Sequence, residues 1–313
     1  GGCWTGSAVI DITGNQNAAI LYTGVRGPSN YESQILAFAS DSSITNWKRY
    51  SNNPVIDGPP VNELNGTVSG FRDPAFWYDS SISKWRLFIG SGIENQGGCI
   101  LQYTSDVLEG PWSFIKPLIM GNYEEHGDMW ECPDLFELST IDGNNSRWVL
   151  IFGDDDKQRN FYMIGEFDTN ENIFIPDKDF IHGRILDAGN FYASKTMFDT
   201  NTQERILWGW SPEDRNVAAY NASGWAGIQT LPTILRLSND FKSLVFKPVP
   251  EFSSIIIPSS QMVYHGSQLY IDANFTIYDN ESVGMYVLQS SLNEEYTLIY
   301  YNPITNILEV NRQ

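Results

Sequence analysis

Short runs of hydrophobic residues, separated by polar turns, recur along the first 250 residues. One pattern occurs four times: an aromatic-rich segment, a polar turn, and a second apolar segment ending in Gly. The copies begin at Cys3, Phe71, Trp130 and Phe191. Their interiors alternate in polarity or run apolar for about four to eight residues, which is typical of β-hairpins, and none keeps the 3.6-residue period of a helix. The pattern predicts an all-β fold built from repeats.

Each copy continues with further short strands, for example Gln34 to Ala39 in the first copy and Ile100 to Thr104 in the second. About four strands in a unit of roughly 60 residues are typical of β-propeller blades. A β-sandwich whose hairpins resemble one another is the alternative. The copies agree in position and length as well as in composition, which favours the propeller.

The pattern changes after Pro248-Val249-Pro250. His265 to Tyr278, Ser282 to Gln289 and Tyr296 to Asn302 read as plain alternating strands without the repeated motif. We therefore expect two domains: a propeller over residues 1–250, and the beginning of a second β domain over residues 251–313.

Charge and composition restrict the partners. The chain has 38 Asp and Glu against 19 Lys and Arg, a net charge of −19 at pH 7. Nucleic-acid binding rests on cationic side chains, so no nucleic-acid partner is expected. No uncharged apolar run approaches the roughly 20 residues that a membrane helix needs, so no membrane partner is expected either.

Cysteines, histidines and one acidic run give no sign of a metal site. Cys3, Cys99 and Cys132 lack paired zinc-ligand spacing, and the three histidines are widely scattered. The run Asp154 to Asp156 could hold a cation, but we interpret it as a solvated loop. No metal and no cofactor are predicted.

Carboxylates at the starts of two copies suggest chemistry. In a propeller the first strand of each blade lines the central channel, so polar groups at those positions converge on one pocket. Arg72-Asp73-Pro74 opens the second copy, and Glu131-Cys132-Pro133-Asp134 opens the third. A carboxyl group in an apolar rim suits a proton donor, whereas one beside an arginine stays ionised. This predicts Glu131 as acid and Asp73, next to Arg72, as a fixed anion, an arrangement typical of glycosidases. Structural acids that cap turns are the alternative.

Longer motifs around these residues resemble glycoside hydrolase family 32, which contains invertases, inulinases, levanases, fructan exohydrolases and related fructosyltransferases. They stand in the family's order and span almost the whole chain: Gly2-Cys3-Trp4-Thr5-Gly6-Ser7-Ala8, Phe71-Arg72-Asp73-Pro74, Trp130-Glu131-Cys132-Pro133-Asp134, Phe191-Tyr192-Ala193-Ser194-Lys195-Thr196 and Gly224-Trp225-Ala226-Gly227-Ile228-Gln229-Thr230.

The resemblance implies a five-bladed β-propeller followed by a β-sandwich, and retaining transfer of a β-fructofuranosyl unit. It implies Glu131 as acid/base and Asp73 as transition-state stabiliser. It further implies substrate binding by Arg72 and by Asp187, which would hold the glucose of sucrose. We add Cys132 and Trp4 as expected substrate contacts; Trp4 lies at the channel-facing start of its copy and could stack on a sugar, with a plain core role as the alternative.

Two departures from the family pattern matter. The family's nucleophile is an aspartate in an Asn-Asp-Pro motif before the Gly-Cys-Trp segment, and no part of this sequence matches it. The resemblance also stops where several sandwich strands should follow. We therefore expect a fragment with an incomplete first blade and a partial sandwich. Such a fragment should not release fructose on its own.

The predicted function is hydrolysis of terminal β-D-fructofuranosyl linkages in sucrose or fructans. A fructosyltransferase that makes fructo-oligosaccharides and a non-catalytic carbohydrate-binding propeller remain alternatives. An arabinan- or xylan-acting hydrolase is disfavoured by the Phe-Arg-Asp-Pro and Glu-Cys motifs. The substrate class predicts an extracellular, cell-wall or vacuolar protein. Five glycosylation sequons add a weak signal in the same direction; they are at Asn65, Asn144, Asn221, Asn274 and Asn280. Substrate preference and oligomeric state stay open.

Overall fold

The structure is a computed structural model that describes residues 2–10, 18–254, 271, 274–277, 281–287, 289–290 and 295–312. Most of the described residues form β-strands, as the hydrophobic pattern predicts. The chain divides into two compact units, residues 1–249 and residues 250–313. Among the described residues, no helix is both long enough and apolar enough to cross a membrane.

The first unit contains four antiparallel sheets whose main strands are hydrogen-bonded in chain order. The first sheet consists of β1 (Gly2–Val9), β2 (Ala19–Arg26), β3 (Tyr31–Ala39) and β4 (Trp47–Arg49). The second consists of β5 (Val68–Asp79), β6 (Lys84–Ile93), β7 (Gly97–Ser105) and β8 (Ser113–Met120). The third consists of β9 (Trp130–Ser139), β10 (Ser146–Asp154), β11 (Arg159–Asp168) and β12 (Ile173–Pro176), with the short β13 (Arg184–Ile185) paired to β11.

The fourth sheet consists of β14 (Tyr192–Asp199), β15 (Glu204–Ser211), β17 (Thr233–Leu237) and β18 (Leu244–Pro248), with the short β16 (Ile228–Gln229) paired to β15. Two short helices lie in the connections: α1 (Tyr123–His126) and α2 (Val217–Ser223). The four sequence repeats coincide with the four sheets. Their first strands contact one another in order, β1 with β5, β5 with β9 and β9 with β14. This is the arrangement expected of consecutive propeller blades.

The first described sheet has all four strands. β2 pairs with β1 on one side and with β3 along its whole length on the other, and β4 adds to β3. The incomplete first blade stays a prediction, because the structure does not identify this sheet as the first blade of a five-bladed propeller. Four sheets of this kind are seen in the described part of the first unit, and a fifth blade is not among them.

A β-bulge interrupts the first strand of each of the four sheets of the first unit at the same place. The pairing shifts between Cys3 and Gly6, and the equivalent shifts follow Arg72, Glu131 and Tyr192. Three bulge residues other than glycine have a positive φ: Asp73 at 62°, Cys132 at 48° and Ala193 at 47°. Bulges redirect side chains and are common next to active sites. The repeat therefore carries a conformational feature as well as a hydrophobic pattern.

Two apolar cores hold the sheets together. One joins the first and second sheets, and its buried members include Leu21, Leu36, Phe71, Leu87 and Leu101. The other is centred on the third sheet and reaches the second and fourth; it includes Phe88, Leu150, Phe152, Leu207 and Leu235. Burial of side chains of this size stabilises a fold by about 1.5 to 3 kcal/mol each. The sheets are thus fixed relative to one another within this unit.

A buried arginine links the second and third sheets. Arg86 is 1% exposed, and its Nε donates to Asp79 Oδ2 at 2.6 Å. One terminal nitrogen donates to Gln102 Oε1 at 3.1 Å and to Asn172 Oδ1 at 2.8 Å. The guanidinium also lies 5.0 Å from the ring of Phe167. One carboxylate and two amide oxygens compensate this buried cation.

The second unit contains a three-stranded antiparallel sheet in the order β19 (Val283–Val287), β20 (Thr297–Asn302) and β21 (Ile307–Arg312). The first two strands fall within the predicted segments Ser282 to Gln289 and Tyr296 to Asn302. The predicted strand His265 to Tyr278 lies largely outside the described residues.

Candidate active site

Equivalent positions at the four bulges bring one side chain from each sheet to the same edge. The four residues are Cys3, Arg72, Glu131 and Tyr192. Across their hairpins they pair with Gly24, Gly90, Gly153 and Trp210, in the same order. Gly90 shows why a glycine ends the repeat. A Cβ there would lie 2.3 Å from Trp130 O and 3.3 Å from Glu131 Cα. The missing side chain thus allows the start of β9 to lie against β6, close to Arg72.

Arg72 binds three carboxylates. Its Nε donates to Glu131 Oε1 at 2.7 Å, and its two terminal nitrogens donate to Glu32 Oε1 at 3.2 Å and Asp155 Oδ2 at 2.9 Å. Burial alone would lower the pKa of Arg72, but the carboxylates of Glu131 and Glu32 raise it above its ordinary value. Arg72 therefore remains a cation inside a cluster with an excess of negative charge.

The excess of carboxylates changes the acidity of two of them. Burial raises the pKa of Glu32, and hydrogen bonds from the Phe71 amide and from Arg72 offset only part of this effect. Burial and the nearby Glu131 raise the pKa of Asp155, again against an opposing effect of Arg72. Both groups keep a proton to higher pH than exposed carboxyls do, because one arginine cannot compensate three carboxylates, of which Glu32 and Glu131 are mostly buried and Asp155 is half-buried.

Glu131 is held at both of its oxygens. While Oε1 accepts from Arg72, Oε2 accepts a hydrogen bond from the hydroxyl of Tyr192. Burial and the charge of Glu131 raise the pKa of Tyr192, which keeps its hydroxyl a donor. The preceding residue, Trp130, is fully buried; it stacks on Phe152 at 3.8 Å and donates to the carbonyl of His126 at 3.2 Å. These contacts fix the direction of the Glu131 carboxylate.

Asp73 lies beside Glu131 without binding Arg72. Its Oδ2 accepts from the backbone amide of Cys132 at 2.9 Å, and its own amide donates to Thr23 Oγ1 at 2.9 Å. The sequence suggests that Arg72 keeps Asp73 ionised, but the guanidinium of Arg72 contacts the other carboxylates instead. The bulge is the physical reason, because the positive φ of Asp73 turns its side chain towards β9. Cys132 is 2% exposed, and its Sγ lies 3.5 Å from Asp73 Oδ2.

The remaining predicted contacts differ in position. Trp4 is 40% exposed, and its ring centre lies 5.8 Å from Cζ of Arg72. Asp187 is exposed, and its carboxylate accepts from the amide of Gly189 at 2.7 Å. The structure therefore brings Trp4 to the cluster and shows no hydrogen bond between Asp187 and it. Within the described part of the chain, no group of His, Cys, Asp and Glu side chains is placed to hold a metal ion.

Comparison with known proteins shows which family the chain belongs to. The profile of the Glycosyl hydrolases family 32 N-terminal domain matches residues 1–248, and that of the Glycosyl hydrolases family 32 C terminal matches residues 246–313. The chain belongs to glycoside hydrolase family 32.

Among the relatives of this family 32 chain is fructan 6-exohydrolase of Beta vulgaris, which is 33% identical over 325 residues, covering 96% of this chain and 52% of the relative. The insoluble beta-fructofuranosidase isoenzyme CWINV1 of Arabidopsis thaliana is 36% identical over 269 residues, covering 80% of this chain and 44% of its own length. The chain thus spans about half the length of the curated relatives that it matches.

Solved structures give the same family. Fructan 1-exohydrolase IIa of Cichorium intybus superposes with a TM-score of 0.69 at 30% identity, covering 80% of this chain and 48% of that one. The beta-fructofuranosidase BmSUC1 of Bombyx mori superposes with a TM-score of 0.75 at 26% identity, covering 99% of this chain and 65% of that one. The resemblance inferred from the sequence motifs is confirmed.

Sequence reasoning missed three side chains of the cluster around Arg72: Glu32, Asp155 and Tyr192. The interpretation of Asp154 to Asp156 as a solvated loop is wrong, since Asp154 is fully buried and Asp155 binds Arg72. A signal was available, because β10 is antiparallel to β9 and must end at the edge where β9 begins; Asp154 pairs with Trp130. Glu32 lies at the start of β3 with no motif around it, so only the folded chain shows its contact.

Proposed function

We propose that this chain carries the acid–base and fructosyl-binding part of a retaining glycosidase, one that cleaves terminal β-D-fructofuranosyl linkages in sucrose or fructans. The observation that supports it best is the position of Glu131, which is held between Arg72 and Tyr192 and adjoins Asp73 in a family 32 chain. Its proposed ligand is a sucrose or fructan molecule, with no nucleic-acid, membrane or cofactor partner.

In this proposal Glu131 is the acid/base. A retaining reaction needs a group that first protonates the leaving oxygen and later removes a proton from water. Glu131 suits this role because each of its oxygens has a fixed donor, so the carboxylate has one orientation. The two donors are the Nε of Arg72 and the hydroxyl of Tyr192.

Asp73 is the proposed transition-state stabiliser. The transition state of glycoside cleavage resembles an oxocarbenium ion, and a fixed anion lowers its free energy. The amide of Cys132 and the hydroxyl of Thr23 hold the aspartate in place. We assign Arg72, Cys132, Trp4 and Asp187 to substrate binding: Trp4 as an exposed ring beside the cluster, Cys132 through its control of Asp73, and Asp187 towards the sugar that leaves.

A retaining mechanism needs a second carboxylate, the nucleophile, about 5 to 5.5 Å from the acid. The family's Asn-Asp-Pro motif, which carries this aspartate, has no counterpart in the 313 residues. We therefore assign the nucleophile to none of them. We further propose that the four sheets of residues 1–250 are four blades of a five-bladed propeller. Residues 251–313 belong, in this proposal, to a β-sandwich.

We propose an extracellular, cell-wall or vacuolar location. One relative is named as the cell wall isozyme of beta-fructofuranosidase from Pisum sativum, at 35% identity over 81% of this chain. The four sequons whose asparagine is described, at Asn65, Asn144, Asn221 and Asn274, are all exposed, as attachment of a glycan requires.

The test of the function is turnover by the complete product of the gene that encodes this chain. Sucrose, inulin and levan are incubated with it, and the products are separated by chromatography while NMR follows the anomer that forms first. We expect free fructose, released first as the β-anomer. Longer fructo-oligosaccharides in place of free fructose would indicate a fructosyltransferase. Sugar binding without any bond cleavage would contradict the proposal and favour a non-catalytic propeller.

A further inference from the structure

The guanidinium of Arg72 is held at all three of its nitrogens, and each nitrogen contacts a carboxylate from a different segment of the chain. Nε donates to Glu131 of β9, one terminal nitrogen to Glu32 of β3, and the other to Asp155 in the turn after β10. A guanidinium is planar, and its N–H groups point in fixed directions within that plane. Two anchored terminal nitrogens therefore fix the direction of the Nε–H bond, which points to Oε1 of Glu131.

Glu32 anchors this guanidinium from the start of β5. Its Oε1 accepts from the side chain of Arg72 at 3.2 Å, and its Oε2 accepts from the backbone amide of Phe71. The side chain of Glu32 is only 12% exposed. Both contacts thus hold one short segment, the backbone just before Arg72 and the end of the Arg72 side chain. A glutamine could keep only one of them, because an amide has a single acceptor oxygen where Glu32 uses two.

Asp155 anchors the guanidinium from the side of Glu131. Its backbone amide donates at 3.2 Å to the carbonyl of Met129, two residues before Glu131. Its Oδ2 accepts from Arg72 at 2.9 Å, and its Oδ1 accepts from Nε2 of Gln158 at 3.1 Å. Asp155 therefore ties Arg72 to the segment that carries Glu131. With a side chain that is 43% exposed, it is the most exposed of the three carboxylates.

A purely structural role does not explain two further carboxylates on one arginine. Glu131 alone would neutralise Arg72, and each additional carboxylate adds repulsion. Burial raises the pKa of both Glu32 and Asp155, so their ionised forms are costly in the folded chain. Charged groups that are kept at a cost to stability are typical of functional sites. The arrangement gains a guanidinium with a single orientation.

We propose that Glu32 and Asp155 are positioning residues, which act through Arg72 to fix the orientation of the Glu131 carboxylate. This inference rests on the proposed function, in which Glu131 is the acid/base. Its carboxyl group must deliver a proton along one line to the leaving oxygen. Misplacement of a reacting group by about 1 Å can lower a rate about 100-fold, so a clamp on Arg72 has a direct effect on turnover.

The first test is Asp155→Asn in the complete gene product, with sucrose as substrate and kinetic constants expressed per folded molecule. The neutral amide weakens the contact with Arg72, so kcat should fall at least about tenfold and by more than KM rises. Asp156→Asn is the matched control. It removes the same charge from the next residue, which is exposed and accepts from the amide of Asp128. Its kcat should equal that of the wild type.

A second variant, Glu32→Gln, should lower kcat in the same direction. It keeps the test decisive if melting shows that Asp155→Asn does not fold.

A double-mutant cycle tests whether the effect passes through Arg72. Asp155→Asn or Glu32→Gln, added to Arg72→Met, should leave kcat/KM within about threefold of Arg72→Met alone, because the group through which they act is already lost. A side chain that itself contacted the sugar would lower kcat/KM by the same factor in both backgrounds. That result would contradict the proposal.

A spectroscopic measurement tests the anchoring without relying on turnover. In the gene product labelled with ¹⁵N-arginine, the Nε–H signal of Arg72 is identified by its absence from Arg72→Met, and exchange of this proton with water is followed. Exchange should be at least about tenfold faster in Asp155→Asn, or in Glu32→Gln, than in Asp156→Asn.

These measurements separate this inference from the proposed function. A wild-type protein that releases no fructose contradicts the proposed function, and the exchange measurement then decides by itself whether Arg72 is anchored. The positioning role is overturned if either folded variant of an active enzyme keeps the wild-type kcat, or if exchange of the Arg72 proton is unchanged in both.

Discussion

Two buried arginines, Arg72 and Arg86, show how the same residue serves different ends in one molecule. Arg86 is 1% exposed and is matched by one carboxylate, Asp79, and two amide oxygens. Arg72 is 8% exposed and binds three carboxylates. The two arginines do not differ in kind in their burial or in their hydrogen bonding. The balance of charge does, since Arg86 is neutralised and Arg72 is outnumbered.

The difference is visible in the acidity of the partners. Hydrogen bonds from Ser81 and Arg86 lower the pKa of Asp79 despite burial, as in an ordinary structural ion pair. Around Arg72 burial raises the pKa of Glu32 and of Asp155. An uncompensated cluster of carboxylates is costly to fold and is typical of sites that handle protons. This difference supports the proposal that the reaction takes place at the cluster around Arg72, whereas Arg86 contributes only to stability.

The largest effect on this comparison is expected from Glu131→Gln, measured in the complete gene product. The glutamine keeps the shape and the contact with Tyr192 but cannot exchange a proton. Turnover of sucrose should fall by about two to four orders of magnitude while sugar binding survives. Glu166→Gln, at an exposed glutamate of β11, is the control and should keep wild-type turnover. Near wild-type turnover of Glu131→Gln would show that the acid/base lies elsewhere.

Arg86→Met should destabilise the fold without touching the chemistry. It leaves the buried Asp79 without its cation, which typically costs about 3 to 5 kcal/mol. Denaturant unfolding measures the loss, and kcat per folded molecule should stay unchanged. Lys84→Met, in the same strand but at an exposed pair with Asp106, should cost less than about 1 kcal/mol. A lowered kcat in folded Arg86→Met would remove the distinction between the two arginines.

Asp73→Asn separates a transition-state role from a structural one. As a fixed anion Asp73 acts most strongly on the oxocarbenium-like state, so kcat should fall more than KM rises. An aspartate that merely fixes a turn would instead cost about 0.5 to 2 kcal/mol of stability, by analogy with cap deletions. Kinetics and melting are measured together. A lower melting temperature with an intact kcat would leave Glu131 as the sole catalytic assignment.

The repeat pattern predicted where the first strands of the sheets lie and which residues of two copies are equivalent. The copies that begin at Cys3, Phe71 and Trp130 begin within the first half of β1, β5 and β9, and aligning two of them already made Arg72 equivalent to Glu131. The sequence did not reveal that the guanidinium of Arg72 contacts Glu131, Glu32 and Asp155 in preference to its neighbour Asp73. Side-chain direction at a bulge depends on φ, and no pattern of polar and apolar residues encodes it.

The smallest expected effect concerns His126, a buried group that supports Trp130. Burial lowers the pKa of His126, whose Nε2 lies 2.7 Å from the carbonyl of His182. The unfolded chain therefore binds a proton at higher pH than the folded one. The free energy of unfolding should decrease as the pH falls below about 6.5, by at most about 1.4 kcal/mol per pH unit.

His126→Gln should remove this part of the pH dependence, as measured by denaturant unfolding at pH 7.5 and 5.5. His182→Gln is the matched control and should retain it, because the contact with His126 uses the backbone carbonyl of His182. An unchanged pH dependence in His126→Gln would mean that His126 does not titrate differently in the folded chain.

The most direct test of the central claim compares kcat/KM for sucrose in Arg72→Met and in the wild type, with melting recorded on the same samples of the complete gene product. The account predicts that kcat/KM falls by at least about 100-fold, because a buried charge that orients the acid/base and binds substrate is lost. The kinetic constants are expressed per folded molecule, so that any loss of stability does not enter the comparison. A kcat/KM within about threefold of the wild type in folded Arg72→Met would contradict the account.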